Sequence, residues 1–99
     1  MCGITGWVDF TQDLRQQAAT LDAMTDTLRL RGPDARGVWI DQHAALGHRR
    51  LAIIDPERGL QPMHSPQRGP GNRPRAVISY AGETYNFREL RAELRELGY

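Results

Sequence analysis

Residues Ala45–Asp55 read ALGHRRLAIID, a run of small, apolar and basic side chains that predicts a strand. Side chains alternate across a strand, so His48 and Arg50 point to one face and Arg49 to the other. A short polar turn joins this run to Val38–Asp41, which is also strand-like. Ile4–Phe10, carrying Trp7, Val8 and Phe10, predicts a strand on the N-terminal side, and Ala76–Tyr80 predicts one on the C-terminal side. Between them His64–Arg75 (HSPQRGPGNRPR) holds three prolines and two glycines in twelve residues; that composition suits a surface loop and no core element.

Two stretches have helical spacing instead. Leu14–Leu30 places Leu14, Ala18, Leu21, Met24 and Leu28 on one side. Asp13 with Gln16 resembles a capping box at its start. Arg29 and Arg31 suit the carbonyl end, and Gly32-Pro33 stops it. Further on, Phe87, Leu90, Leu94 and Leu97 mark one face of a second helix. Asn86 is its expected N-cap, Glu89 follows three residues later, and Gly98 is the expected stop. The order is strand, helix, three strands, helix. Helices separated by runs of strands predict an α+β fold with antiparallel pairing. The last helix has an apolar face in need of cover, so residues 2–99 are expected to be the first part of a larger domain.

The 99 residues carry a net charge of +1, with 39% hydrophobic and 25% charged side chains. That balance suits a folded soluble domain and gives no electrostatic footprint for nucleic acid or an anionic membrane. All 13 basic residues are arginines, to which little functional weight attaches. One cysteine excludes a disulfide within the chain and suits a reducing compartment, so the expected location is the cytoplasm. The start, MCGITGW, lacks the basic region and apolar run of a secretory signal.

That single cysteine is residue 2. A small residue after the initiator methionine permits trimming, which leaves Cys2 with a free α-amine. The amine has a reference pKa of roughly 7.7–8.0 and the thiol about 8.5, so the amine can act as general base for its own side chain. Position alone is weak support, because many chains begin Met-Cys.

The surrounding motifs add to it. Met1–Gly6 (MCGITG), Arg31–Asp34 (RGPD) with Gly37, Leu46–Asp55 (LGHRRLAIID), Gln61-Pro62-Met63 and Gly82–Asn86 (GETYN) occur in this order along nearly the whole chain. Together they resemble the class II glutamine amidotransferases of the N-terminal nucleophile hydrolase superfamily, and specifically the glutaminase domain of asparagine synthetases. Amidotransferases that make glucosamine phosphate or phosphoribosylamine share the cysteine start but differ at RGPD, HRRLAIID and GExYN. The resemblance implies an αββα sandwich with antiparallel sheets, incomplete within these residues. It also implies hydrolysis of the glutamine side-chain amide through a glutamyl thioester.

On that resemblance Cys2 is the nucleophile, and Arg50 matches the arginine that grips the glutamine α-carboxylate. A planar guanidinium can hold a carboxylate with two parallel hydrogen bonds. Leu51, Ala52, Ile53 and Ile54 continue the strand and line the glutamine pocket. Gly82 offers a backbone N–H to the developing oxyanion, and Glu83 lines the substrate. Arg49 is expected at the surface or in a salt bridge, and His48 is expected to be structural. Arg31–Asp34 reads equally as a helix stop or as a support for the site. The family usually has asparagine immediately before the oxyanion glycine, and this chain has Ala81, which lacks a side-chain donor.

No metal or cofactor is expected in this stretch. The resemblance assigns ATP and Mg to a synthetase domain outside these residues, which would receive the ammonia and amidate aspartate to asparagine. The ligand for the glutamine α-amino group is likewise expected beyond Tyr99, so these residues alone are not expected to be active. A homodimer is one arrangement the resemblance allows. Two other functions compete: a related amide-forming ligase of specialised metabolism, and a weakly active or inactive docking module of an ammonia-using synthetase.

Overall fold

The structure is a computed structural model that describes residues 1–53 and 57–99. Its centre is a three-stranded antiparallel sheet of β1 (Gly3–Val8), β2 (Ala35–Ile40) and β3 (Ala44–Arg50), in the order β1-β3-β2. The predicted HRR strand is therefore the middle one. It ends at Arg50, and Leu51–Ile53 leave the ladder; the remaining predicted strand residues, Ile54 and Asp55, lie outside the described residues. In register, Gly3 and Arg36 flank Arg49, while Ile4 and Gly37 flank His48.

Register and alternation divide the sheet into two faces. One face packs on α1 (Ala18–Asp26). Leu21 of the helix, Ala45 of β3 and Leu14 form the buried cluster here, with Trp7 and Ile40 against it. Thr25 is fully buried in the same layer; its hydroxyl donates to the Leu21 carbonyl at 2.7 Å and meets Thr5 Oγ1 at 3.2 Å. Arg49 also belongs to this layer. Of the two expectations for Arg49, the surface one is corrected, because only 8% of it is exposed, and the salt-bridge one holds. Its guanidinium lies 4.0 Å from Asp26, which also pairs with Arg36 at 3.4 Å.

The predicted helix from Leu14 divides in two. Asp13 caps a 3-10 turn over Leu14–Gln16, accepting the Arg15 backbone N–H at 3.0 Å. Leu14 donates its N–H to the Gln42 carbonyl at 2.8 Å and buries its side chain completely. These ties hold the turn against the β2–β3 connection, and Gln17 separates it from α1 with φ −110° and ψ 25°. The Asp13–Gln16 capping box thus does not form on α1, whose N-cap is Gln17.

The second face of the sheet meets a smaller antiparallel pair, β4 (Met63–His64) and β5 (Val77–Ile78). The layers approach closely: a Cβ at Gly37 would lie 1.8 Å from the Gln61 carbonyl oxygen. His64, placed by sequence in the loop, is a strand residue paired with Val77.

The chain then forms α2 (Phe87–Glu96), none of whose residues is buried. Asn86 precedes it without a side-chain capping bond. Its φ of −95° and ψ of 33° depart from the extended backbone usual for a capping side chain. Gly98 terminates the helix at φ +89°, as expected of a glycine at this position. The architecture is α+β with antiparallel sheets and matches part of an N-terminal nucleophile hydrolase-type sandwich. Among the described residues no helix is long and apolar enough to cross a membrane.

Candidate active site

The sheet register that pairs Gly3 with Arg49 brings Cys2, one residue earlier, beside Arg50, one residue later. Both line a cleft of about 390 Å³ on the face opposite α1. Leu51, Ile53, Gly82 and Glu83 also line it, so the end of β3 and the segment after β5 meet at one opening. Ala52 does not reach the cleft, and Ile54 lies outside the described residues.

The thiol is held at the point where β3 stops. The Leu51 backbone N–H points at Cys2 Sγ over 3.4 Å, and the Leu51 carbonyl lies 3.9 Å from the same sulfur. The carbonyl of Cys2 accepts a long bond of 3.5 Å from Arg31 Nε.

Arg31 opens the RGPD segment, for which sequence left two roles. The structure gives it a supporting one. The Asp34 backbone N–H donates to the Arg50 carbonyl at 3.0 Å, and the Asp34 carboxylate accepts the Ala52 N–H at 2.8 Å. Gly32 lies directly over β3: a Cβ there would stand 2.2 Å from the Arg49 carbonyl carbon. The segment therefore clamps residues 49–52 from one side and touches Cys2 with its first residue. Ala52 serves this clamp through its backbone.

A second close approach shapes the arginine. A Cβ at Gly59 would lie 2.3 Å from Arg50 Nη2, so a glycine leaves space for the guanidinium. Nothing in the spacing of Gly59 announces this, because its partner, nine residues earlier, belongs to no shared local motif.

His48 shares the face of Arg50, as alternation predicts, and is 2% exposed. Its Nδ1 and Ser79 Oγ share a hydrogen bond of 2.8 Å. Burial pushes the imidazole pKa below its ordinary value, and the Arg50 charge pushes it the same way. Gln61, whose role the sequence does not reveal, lines the cleft and accepts the Tyr80 N–H on Oε1 at 3.1 Å. Ser79 and Gln61 thus attach the segment that leads to Ala81 and Gly82. Neither role was readable in one sequence, since each depends on the packing of the two sheets.

The cleft accordingly brings a thiol, a guanidinium and a glycine to one opening. Ala81 lines the same opening and brings no side-chain donor to it.

Residues 1–99 match the glutamine amidotransferase domain family. The chain is 50% identical over 99 residues to asparagine synthetase [glutamine-hydrolyzing] 3 of Bacillus subtilis, covering 100% of this chain and 16% of that protein. It is 38% identical over 96 residues to asparagine synthetase B [glutamine-hydrolyzing] of Escherichia coli, covering 94% of this chain and 16% of the relative. Amidase chry2 of Gibberella zeae is 35% identical over 108 residues, with 97% of this chain and 15% of that protein covered. The chain thus spans about 16% of the length of the asparagine synthetases it matches.

Proposed function

Because the chain belongs to the glutamine amidotransferase domain family, we propose that it supplies the nucleophile and carboxylate grip of a glutaminase. Removal of Met1 frees the α-amine of Cys2. The amine takes the thiol proton, Cys2 Sγ attacks the side-chain amide carbon of glutamine, and a tetrahedral oxyanion forms. The amine returns the proton to the departing nitrogen, the C–N bond breaks, and ammonia leaves a γ-glutamyl thioester. Water then adds to the thioester, giving glutamate and the free thiol. Arg50 holds the α-carboxylate, and the Gly82 N–H faces the oxyanion.

The observation that carries this reading is the meeting of Cys2 and Arg50 in one cleft with Gly82 at its edge. The matched asparagine synthetases support ATP-dependent amidation of aspartate as the use of the ammonia. A second reading passes the ammonia to another acceptor; beside it stands the likeness to amidase chry2, a relative whose name does not mention asparagine. A single thiol that must stay reduced fits a cytoplasmic enzyme. The test is glutamate release from glutamine by the intact protein and by Cys2→Ala. The wild type is expected to release glutamate and the variant to lose essentially all of it; equal release by both would overturn the reading.

A further inference from the structure

The cleft is assembled from two layers, and its two reactive parts belong to different ones. Cys2 and Arg50 belong to the central sheet, whereas Ala81 and Gly82 follow β5 of the smaller sheet. Catalysis at Cys2 requires the Gly82 N–H to be held where the oxyanion appears, because a donor assists only from a preorganised position. The usual second donor is replaced by Ala81, so the placement of the remaining one carries more weight.

Among the described residues, the stretch 79–80 is tied to the rest of the cleft by two hydrogen bonds. Tyr80 N–H donates to Gln61 Oε1 at 3.1 Å, and Ser79 Oγ meets His48 Nδ1 at 2.8 Å. The second spans the layers directly. His48 is on β3, two residues from Arg50 and on the same face, and Ser79 is three residues before Gly82. The imidazole is almost wholly enclosed, with Ser79 Oγ as the partner of Nδ1.

We propose that His48 is a positioning residue which, through Ser79, fixes the Ala81–Gly82 segment relative to Cys2. The inference rests on the glutaminase reading above. It assigns His48 no proton transfer, a task the α-amine performs. It predicts a split between steps: substrate capture through Arg50 persists without the pin, while stabilisation of the oxyanion declines.

The experiment is steady-state glutaminase kinetics of the intact protein with Ser79→Ala, Ser79→Thr and Ser79→Cys. Loss of a hydrogen bond to a buried group corresponds to roughly a tenfold effect. Ser79→Ala is expected to lower kcat by about that factor while KM for glutamine changes less than about twofold. Ser79→Thr, which keeps the hydroxyl, is expected to recover most of the loss. Should Ser79→Ala fail to fold, the near-isosteric Ser79→Cys reads the same bond and is expected to lower kcat with KM retained. Wild-type turnover with unchanged kcat in the folded Ala or Cys variant would overturn the proposal and leave the glutaminase reading standing. So would a loss that Ser79→Thr does not recover. An inactive wild type would overturn the reading and the proposal together.

Discussion

Ala81 is the residue whose replacement is expected to raise the rate. An oxyanion-hole donor contributes roughly 10²–10³ in kcat where it has been removed from other enzymes. Ala81→Asn is therefore expected to raise glutaminase kcat of the intact protein, by up to about that factor. Stopped assays of glutamate release measure it, and no gain would show that the missing side chain does not limit turnover. His48 gives a second prediction at this scale, in stability. Its pKa is lowered from 6.5 by burial and then by Arg50. Below the ordinary value the unfolded chain takes up a proton that the folded imidazole refuses, so stability falls as pH drops through this window. Asp9, bonded first by the Gln12 side chain and then by Thr11, and Asp13, bonded by Arg15, are each lowered to about 2 from 3.8. Their contributions are present above 3.8 and fade toward 2, which separates them from the histidine window. Urea midpoints are expected to decline between about pH 7 and about pH 5 in the wild type and less in His48→Gln. An equal decline in both would contradict a buried neutral His48.

At the scale of elements, the RGPD segment has its effect through backbone groups of β3 and its continuation. Asp34 accepts the Ala52 N–H, and its own N–H meets the Arg50 carbonyl. Asp34→Ala removes the first bond and keeps the second. The expected outcome is a loss of about 1 kcal/mol in stability, with KM for glutamine raised severalfold as residues 50–52 shift. Denaturant unfolding and kinetics on the same preparation check both parts; an unchanged KM would confine Asp34 to stability. The elements were also where sequence reading met its limits. Alternation placed His48 and Arg50 together because that periodicity is local and mechanical. The helix start at Leu14 failed because burial of that side chain and its bond to Gln42 outweighed a continuous helical period. Asn86 looked like a cap by residue type, but its backbone angles leave the side chain without a capping bond.

Across the whole molecule, three packed layers produce the site. One face of the central sheet packs Ala45 against Leu21 and Thr25 of α1, and the other face carries Cys2, His48 and Arg50 toward the smaller sheet. This division follows from register, since a slip of one residue would send Arg50 to the helix side and Arg49 to the cleft. The fold class and the Cys2–Arg50 pair were legible because motif order and alternation survive in the sequence. The contacts of Gln61 and Ser79 were not, since each joins residues brought near only by layer packing. The Cys2 thiol sits where those layers open into the cleft. An electrophilic glutamine analogue should be incubated with the intact, methionine-trimmed protein, followed by mass analysis of its N-terminal peptide. One adduct on Cys2, suppressed by excess glutamine and weakened in Arg50→Ala, is the expected result; an unlabelled Cys2 in the folded protein would contradict the account.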